Sequence, residues 1–208
     1  MNQSIRVIDD LLDPQMATDL CYMLMTNPMY CPCDHTVDRS EADGSVREMG
    51  QVLYPNKKKE DIVFQSILFR RYFNNVTEYQ SDFWKMENIV EFLEKSLKIK
   101  RMWNVRANCT TVQDKHYQCK FHTDMPDGRL RRQLTTCVYY LNSNNGGTLF
   151  QDEENTFVQS KFNRAVVFPA SFMHSAVACT DAKLRFVLNM NYEEEKTKPT
   201  SKGFKSTK

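Results

Sequence analysis

The segment Leu134–Phe150, LTTCVYYLNSNNGGTLF, contains two short runs of β-branched, aromatic and aliphatic residues. They lie on either side of the stretch Asn144-Asn145-Gly146-Gly147. Such runs favour strands, whereas clustered Asn and Gly residues favour turns. The segment therefore predicts two strands that are joined by a tight connection.

The same alternation of short strands and turns extends over the second half of the chain. The predicted strands are 101–112, 116–122, 133–141, 148–151, 156–160, 164–168, 173–179 and 184–192. Several evenly spaced strands with no helices between them favour an antiparallel barrel or a double-sheet jelly roll. We therefore expect a jelly-roll core over residues 101–195.

The first hundred residues have a different pattern of apolar residues, which predicts a mainly helical lead-in. Ile5–Leu11 reads as a short strand, and Asp13-Pro14 begins a helix that carries Leu20 and Leu24 on one face. Two further helices are predicted, one over Ile62–Tyr79 and one with Ile89, Phe92, Leu93 and Leu97 on its apolar face. The predicted fold class is thus mainly β with α (α+β), with N-terminal helices packed on the jelly roll.

Two polar segments complete the predicted organisation. Residues 34–60 are charged and poorly periodic, which is typical of a long surface excursion. We expect this segment to close over the site as a lid, and the alternative is a static surface insertion remote from the site. Residues 196–208 carry five lysines and no acidic residue, which predicts a disordered basic tail. Residues 1–195 are therefore expected to form one domain, with a lead-in over 1–100.

Composition narrows the class of protein. The 208 residues are 41% hydrophobic and 26% charged with a net charge of +2, as in an ordinary globular protein that need not bind nucleic acid. The first residues contain no apolar run, so we expect no signal peptide, and the apolar runs elsewhere are too short to span a membrane. Seven cysteines at irregular spacing favour free thiols, and the pair Cys31 and Cys33 lacks the second pair of a zinc site. We expect a cytoplasmic location.

The candidate chemistry is carried by His122-Thr123-Asp124 and His174. Residues i and i+2 of an extended chain point to the same side, so His122 and Asp124 can bind one ion. His174 follows another predicted strand and offers a third ligand. Two histidines and one carboxylate on one side of an octahedron leave three positions open, as in the facial triad of non-haem iron oxygenases.

Arg185 lies eleven residues after His174, within the apolar run Leu184–Leu188. A buried arginine needs an anionic partner, and its planar guanidinium suits the end of a dicarboxylate. The alternative is that Arg185 faces water on an edge strand.

Five motifs, taken in their order along the chain, resemble those of the Fe(II)/2-oxoglutarate dioxygenase superfamily. They are HxD at His122, CVYYLN at 137–142, GGTLF at 146–150, FP…H at 168–174 and R…NMNY at 185–192. The nearest branch is prolyl 4-hydroxylase-like and includes compact phage-encoded members, for which the location would be the host cytoplasm. The resemblance implies a double-stranded β-helix that hydroxylates a substrate C–H bond and releases succinate and carbon dioxide.

Position by position, the resemblance implies roles for seven residues. His122, Asp124 and His174 match the iron ligands, Arg185 matches the 2-oxoglutarate anchor, and Tyr140 is implied to help hold the same carboxylate. Asn189 and Asn191 share a strand face with Arg185 and are expected to line the co-substrate pocket. The implied partners are Fe(II), 2-oxoglutarate and dioxygen, with ascorbate as a candidate reductant and a peptidyl proline or other peptide as the substrate.

Three alternatives remain open from the sequence. A cupin-like jelly roll with another metal would offer more histidines and leave Arg185 without a task. A nucleic-acid base oxygenase would need a basic groove, for which Arg129, Arg131 and Arg132 are the candidates. A non-catalytic metal-binding module is the third. His35, His116 and Tyr139 are not expected to belong to the site.

Overall fold

The computed structural model describes residues 4–26, 63–71, 77–79, 87–124, 128 and 132–195. The described elements are β1 (Arg6–Ile8), α1 (Pro14–Thr26), β2 (Val63–Arg71), β3 (Thr77–Tyr79), α2 (Glu87–Ser96), β4 (Ile99–Thr111), β5 (Thr135–Tyr140), β6 (Gly147–Phe150), β7 (Phe157–Gln159), β8 (Arg164–Pro169), β9 (His174–Val177) and β10 (Leu184–Glu194). Several predictions lie outside the described residues: the lid at 34–60, the tail at 196–208, and Cys31, Cys33, His35, Arg129 and Arg131.

The strands form two antiparallel sheets. The larger sheet has the order β1-β8-β5-β10-β4-β2-β3, and the smaller one has the order β7-β6-β9. At the turn before the smaller sheet, a Cβ on Gly146 would lie 2.6 Å from the carbonyl oxygen of Val177, so only glycine fits there without a shift. The two sheets and the helices confirm the predicted jelly roll with helices packed on it.

The two faces of β10 separate packing from chemistry. One face, Phe186, Leu188, Met190 and Tyr192, is buried with Leu20 of α1 and Leu93 of α2 in a single apolar cluster. Each fully buried side chain of this kind stabilises the fold by roughly 1.5–3 kcal/mol. The opposite face carries Arg185, Val187, Asn189 and Asn191 toward the smaller sheet. The helices thus cover one face and leave the other to form a site.

The helix α1 begins where the sequence predicts. Asp13 caps it by accepting a hydrogen bond from the backbone N–H of Gln15 at 2.9 Å, and Pro14 occupies the first helical position. The apolar face predicted around Ile89 and Leu93 lies on α2, where both residues are buried. Within the described residues, neither helix has the length and apolarity needed to cross a membrane.

The predicted helix over Ile62–Tyr79 is wrong, because the described parts of this segment are the strands β2 and β3. β2 pairs with β4 from Val63 opposite Thr110 to Arg70 opposite Asn104. The long strand β4 would otherwise expose an edge with unpaired backbone groups, and β2 satisfies them. A long-range pairing of this kind overrides local periodicity.

The predicted strand 116–122 is also wrong as a continuous strand. Only two isolated bridges form there, between Gln118 and Val177 and between His122 and His174. The second of these bridges lies at the candidate metal site.

Candidate active site

The backbone brings His122 and His174 side by side. Each residue donates its backbone N–H to the other's carbonyl oxygen, at 2.9 Å and 3.0 Å, and the ring centroids are 4.7 Å apart. His174 is the first residue of β9, and Asp124 follows His122 by two residues on the same extended segment. Two distant parts of the sequence therefore deliver three candidate ligands to one place.

One ligand atom from each of His122, Asp124 and His174 lies within 4.8 Å of the other two. Oδ1 of Asp124 is 4.0 Å from Nε2 of His122 and 3.7 Å from Nε2 of His174. Two imidazole nitrogens and one carboxylate oxygen at this spacing form a donor set that suits a divalent transition metal.

The other ring nitrogen of each histidine is already engaged. Nδ1 of His122 lies 3.1 Å from the carbonyl oxygen of Lys120, and Nδ1 of His174 lies 3.0 Å from that of Phe172. A carbonyl oxygen only accepts hydrogen bonds, so each Nδ1 carries a proton and each Nε2 is the ring nitrogen left to face a metal. Both histidines are thus in the tautomer that metal binding requires.

Burial and nearby charges favour the protonation states of Asp124 and His174 that bind a cation. The side chain of Asp124 is 2% exposed. Burial alone would raise the pKa of Asp124, but electrostatic interactions with His174, Arg106 and His122 outweigh burial, so the pKa lies below its usual value. Burial lowers the pKa of His174 and favours its neutral, ligating form. Phe168 packs edge-on against His174, with ring centroids 4.8 Å apart, and helps to fix its ring.

Three further side chains donate hydrogen bonds to the Asp124 carboxylate. Asn189 donates from Nδ2 to Oδ1 and Oδ2 at 3.3 and 3.2 Å, and Asn191 donates to Oδ2 at 3.3 Å. Arg106 completes the set with Nη2 at 3.4 Å from Oδ1. The sequence led us to expect Asn189 and Asn191 at the co-substrate, whereas their amide groups contact Asp124.

Arg106 was missed because a single arginine in a strand carries no distinctive signal. The polar residues of β4 alternate as Asn104, Arg106, Asn108 and Thr110, which places them on one face opposite the apolar residues. Arg106 pairs in register with Asn189 of β10, so the alternation together with the register would have located it.

Arg185 is buried, with 4% of its surface exposed. Its Nη2 lies 3.4 Å from Oγ1 of Thr148, and its guanidinium carbon is 5.6 Å from the centre of the Tyr140 ring. Nε of Arg185 is buried and has no hydrogen-bond partner among the residues that the structure describes. A buried cation with an unused donor is costly, and a carboxylate would remove that cost.

Tyr140 and Thr148 lie beside Arg185, and we call these three residues the cradle. The Tyr140 hydroxyl is 2.8 Å from Oγ1 of Thr148 and 3.1 Å from the carbonyl oxygen of Val158. Burial raises the pKa of Tyr140, so the phenol remains a hydrogen-bond donor. The sequence predicted roles for Arg185 and Tyr140 but not for Thr148. Thr148 lies beside them only because the smaller sheet packs on the larger one.

The cradle and the triad lie on the same face of the larger sheet. Arg185 and Asn189 are four residues apart on β10, and four residues of extended strand span roughly 13 Å. Because Asn189 contacts Asp124, one strand connects the two sites. A small molecule with a carboxylate at each end is the kind of ligand that this arrangement suits.

The residues set aside in the sequence analysis lie elsewhere. His116 is exposed, and its Nδ1 lies 3.0 Å from the carbonyl oxygen of Ala178. Tyr139 points to the helix-covered face and donates to Oδ1 of Asn163 at 2.8 Å. Arg132, at the end of the predicted basic cluster, is exposed.

Comparison with known proteins agrees with this geometry. Residues 106–193 match the 2OG-Fe(II) oxygenase superfamily. This part of the chain is therefore similar to a superfamily of oxygenases that use Fe(II) and 2-oxoglutarate. No curated protein sequence matches the chain.

Solved structures show the same fold at low identity. A prolyl hydroxylase from Trichoplax adhaerens, in complex with a peptide fragment of a hypoxia-inducible factor, has a TM-score of 0.56 at 15% identity, covering 93% of this chain and 84% of that one. A 2OG-Fe(II) oxygenase family oxidoreductase from Burkholderia pseudomallei has a TM-score of 0.58 at 10% identity, covering 92% and 84%. A viral collagen prolyl hydroxylase from Paramecium bursaria Chlorella virus-1 has a TM-score of 0.51 at 13% identity, covering 94% and 98%.

Proposed function

We propose that His122, Asp124 and His174 bind Fe(II), and that Arg185 anchors 2-oxoglutarate. The observation that carries this proposal is the close approach of the three ligand atoms, all within 4.8 Å, with both Nε2 atoms free. The unused Nε of Arg185 adds an anion site on the same sheet face. A general metal-binding jelly roll would have no use for that second site.

The residues around the metal then have distinct tasks. Bound iron supplies the oxidising chemistry with dioxygen and 2-oxoglutarate. The chain holds the three protein ligands on one side, which leaves the remaining positions open. Arg185, Thr148 and Tyr140 supply hydrogen-bond donors to the distal carboxylate and so orient the co-substrate. The apolar residues Val138, Phe150 and Val187 line the interior nearby and exclude water.

For the substrate, we propose a prolyl 4-hydroxylase-like reaction on a peptide. The proposal is supported by the ordered motifs from His122 to Tyr192 and by a fold shared with prolyl hydroxylases, one of which was solved with a peptide. The side chain of His122 is 43% exposed, so a peptide would reach the metal site from the side of His122.

Two measurements test the function in sequence. Succinate release from 2-oxoglutarate in the presence of Fe(II) tests the oxygenase assignment, and it should disappear in Asp124→Ala. A panel of prolyl peptides, other peptides, free amino acids and nucleosides then tests the substrate, scored by a mass gain of about 16 Da for one added oxygen atom. Oxidation of a nucleoside without oxidation of any peptide would overturn the peptide proposal and favour a base oxygenase. Equal succinate release by Asp124→Ala would overturn the metal assignment.

A further inference from the structure

The orientation of the Asn189 side chain is fixed by its neighbour. Nδ2 of Asn189 lies 3.3 Å from Oδ1 and 3.2 Å from Oδ2 of Asp124. A carboxylate accepts hydrogen bonds and donates none, so the amide must turn its NH₂ group, rather than its oxygen, toward Asp124. One amide group therefore spans both oxygens of a candidate metal ligand.

The same orientation leaves an unpaired acceptor. Within the described part of the chain, Oδ1 of Asn189 is buried without a hydrogen-bond partner, and the residue is 6% exposed. A buried acceptor without a partner costs free energy, and an unpaired group of this kind in a folded protein requires an explanation. Leucine has nearly the same shape and would avoid the cost. Stability of the fold is therefore a poor reason for an asparagine at this position.

We propose that Asn189 is a positioning residue that holds the Asp124 carboxylate for metal binding. This inference rests on the proposed function, in which Asp124 is a metal ligand. By bonding both oxygens, Asn189 restricts rotation of the carboxylate and keeps Oδ1 facing the histidines, 3.7 Å from Nε2 of His174. Replacing a residue that orients a metal ligand commonly lowers the affinity for the metal by about 10- to 100-fold.

Asn189 tests this role more cleanly than the other two donors to Asp124. Asn191 also donates to Oγ1 of Thr136 at 2.9 Å and accepts from Asn104, so its loss would disturb the sheet. Arg106 brings a positive charge that opposes binding of a cation while it holds the carboxylate. The side chain of Asn189 carries no charge, and its hydrogen bonds go to Asp124.

The experiment measures binding of Mn(II) alone to the full-length metal-free protein, with the free ion followed by electron paramagnetic resonance. Asn189→Leu removes the donors while nearly preserving shape, and we expect its dissociation constant for Mn(II) to rise by about 10- to 100-fold. The unfolding temperature of the metal-free variant should fall less than that of a variant that removes hydrogen bonds from the core, because Asp124 keeps Asn191 and Arg106 as donors and the unpaired acceptor is removed. Asn189→Ala, which cannot clash, should show the same loss of affinity.

Asn163→Gly is the matched control. Asn163 is a buried asparagine whose side chain bonds Leu12 and Tyr139 on the helix-covered face, and its φ of 63° is one that glycine adopts readily. This variant should lower the unfolding temperature and keep the wild-type affinity for Mn(II). An equal loss of Mn(II) affinity in Asn163→Gly would mean that general loosening causes the effect, and the proposal would fail.

Asp124→Ala distinguishes a failure of the metal-ligand assignment of Asp124 from a failure of the positioning role of Asn189. If wild type binds Mn(II) and Asp124→Ala does not, the ligand assignment holds, and wild-type affinity in both Asn189 variants would then overturn the positioning role alone. If Asp124→Ala binds Mn(II) as well as wild type, the ligand assignment itself fails.

Discussion

Replacement of Arg185 by alanine should weaken 2-oxoglutarate binding far more than any other single change in the cradle. The guanidinium is 4% exposed and has a buried Nε without a partner, so it is placed to make charge-assisted hydrogen bonds to a carboxylate. Tyr140 and Thr148 would remain as neutral donors. The loss is therefore that of one buried charge-assisted contact, about 2–3 kcal/mol, or roughly a hundredfold in affinity. Arg185→Lys keeps the charge but not the planar fork and should lie between wild type and alanine.

The assay for this prediction is the 2-oxoglutarate dependence of succinate release, together with thermal unfolding. Binding of 2-oxoglutarate should raise the unfolding temperature of wild type and leave that of Arg185→Ala nearly unchanged at the same concentration. Arg164→Ala is the control, since Arg164 is paired with Asp9 on the surface at 2.6 Å and should not affect 2-oxoglutarate. An unchanged 2-oxoglutarate requirement in Arg185→Ala would refute the anchor.

Three further predictions concern the triad, the Tyr140 phenol and a surface ion pair. His122→Ala should abolish iron-dependent succinate release in a folded protein, whereas His116→Ala should match wild type; activity in the first variant would contradict the triad. Tyr140→Phe should raise the 2-oxoglutarate requirement by only about 2- to 10-fold, because it removes one neutral hydrogen bond, and a hundredfold rise would mean a larger role for the phenol. The hydrogen bond from Arg164 lowers the pKa of Asp9 to about 2, so the pair stabilises the fold above about pH 4, and this contribution is lost as the pH falls through 2. In urea titrations Asp9→Asn should be less stable at pH 7 by at most about 1 kcal/mol, since the pair is partly exposed. This difference should be largely lost near pH 2, where about half of the Asp9 carboxyl is protonated; a difference of undiminished size at pH 2 would refute the ion pair.

The core strands and the triad could be predicted from the sequence because local signals and chemistry coincide there. Pro14 and Asp13 fix the start of α1, and the Asn-Gly stretch before Thr148 fixes the turn between β5 and β6. His122 and Asp124 are two residues apart, so their convergence needs only an extended backbone. These inferences required no knowledge of which strands are neighbours.

The features that the sequence did not predict share a cause, because each depends on contacts between distant segments of the chain. The Ile62–Tyr79 segment is a strand because β4 offers it an edge, which local periodicity cannot show. The contact of Asn189 with Asp124 depends on its register opposite Arg106, which the sequence does not show; its place at the co-substrate stays a prediction. Thr148 joins the cradle only because the smaller sheet lies over the larger one.

The separation of packing and chemistry onto opposite faces of the larger sheet leads to a last prediction. Leu20 of α1 is fully buried against the face that carries Phe186 and Leu188, on the side away from Arg185. Leu20→Ala should therefore lower stability by about 2–5 kcal/mol, through lost burial and the cavity that remains. For a domain of this size each kcal/mol lowers the unfolding temperature by roughly 2–4 °C, so the decrease should be clear in a thermal melt. Well below that transition, the 2-oxoglutarate requirement should equal that of wild type, because the site face is untouched. A raised requirement in a fully folded Leu20→Ala protein would show that the helices shape the site through the sheet, and the two faces could no longer be treated as independent.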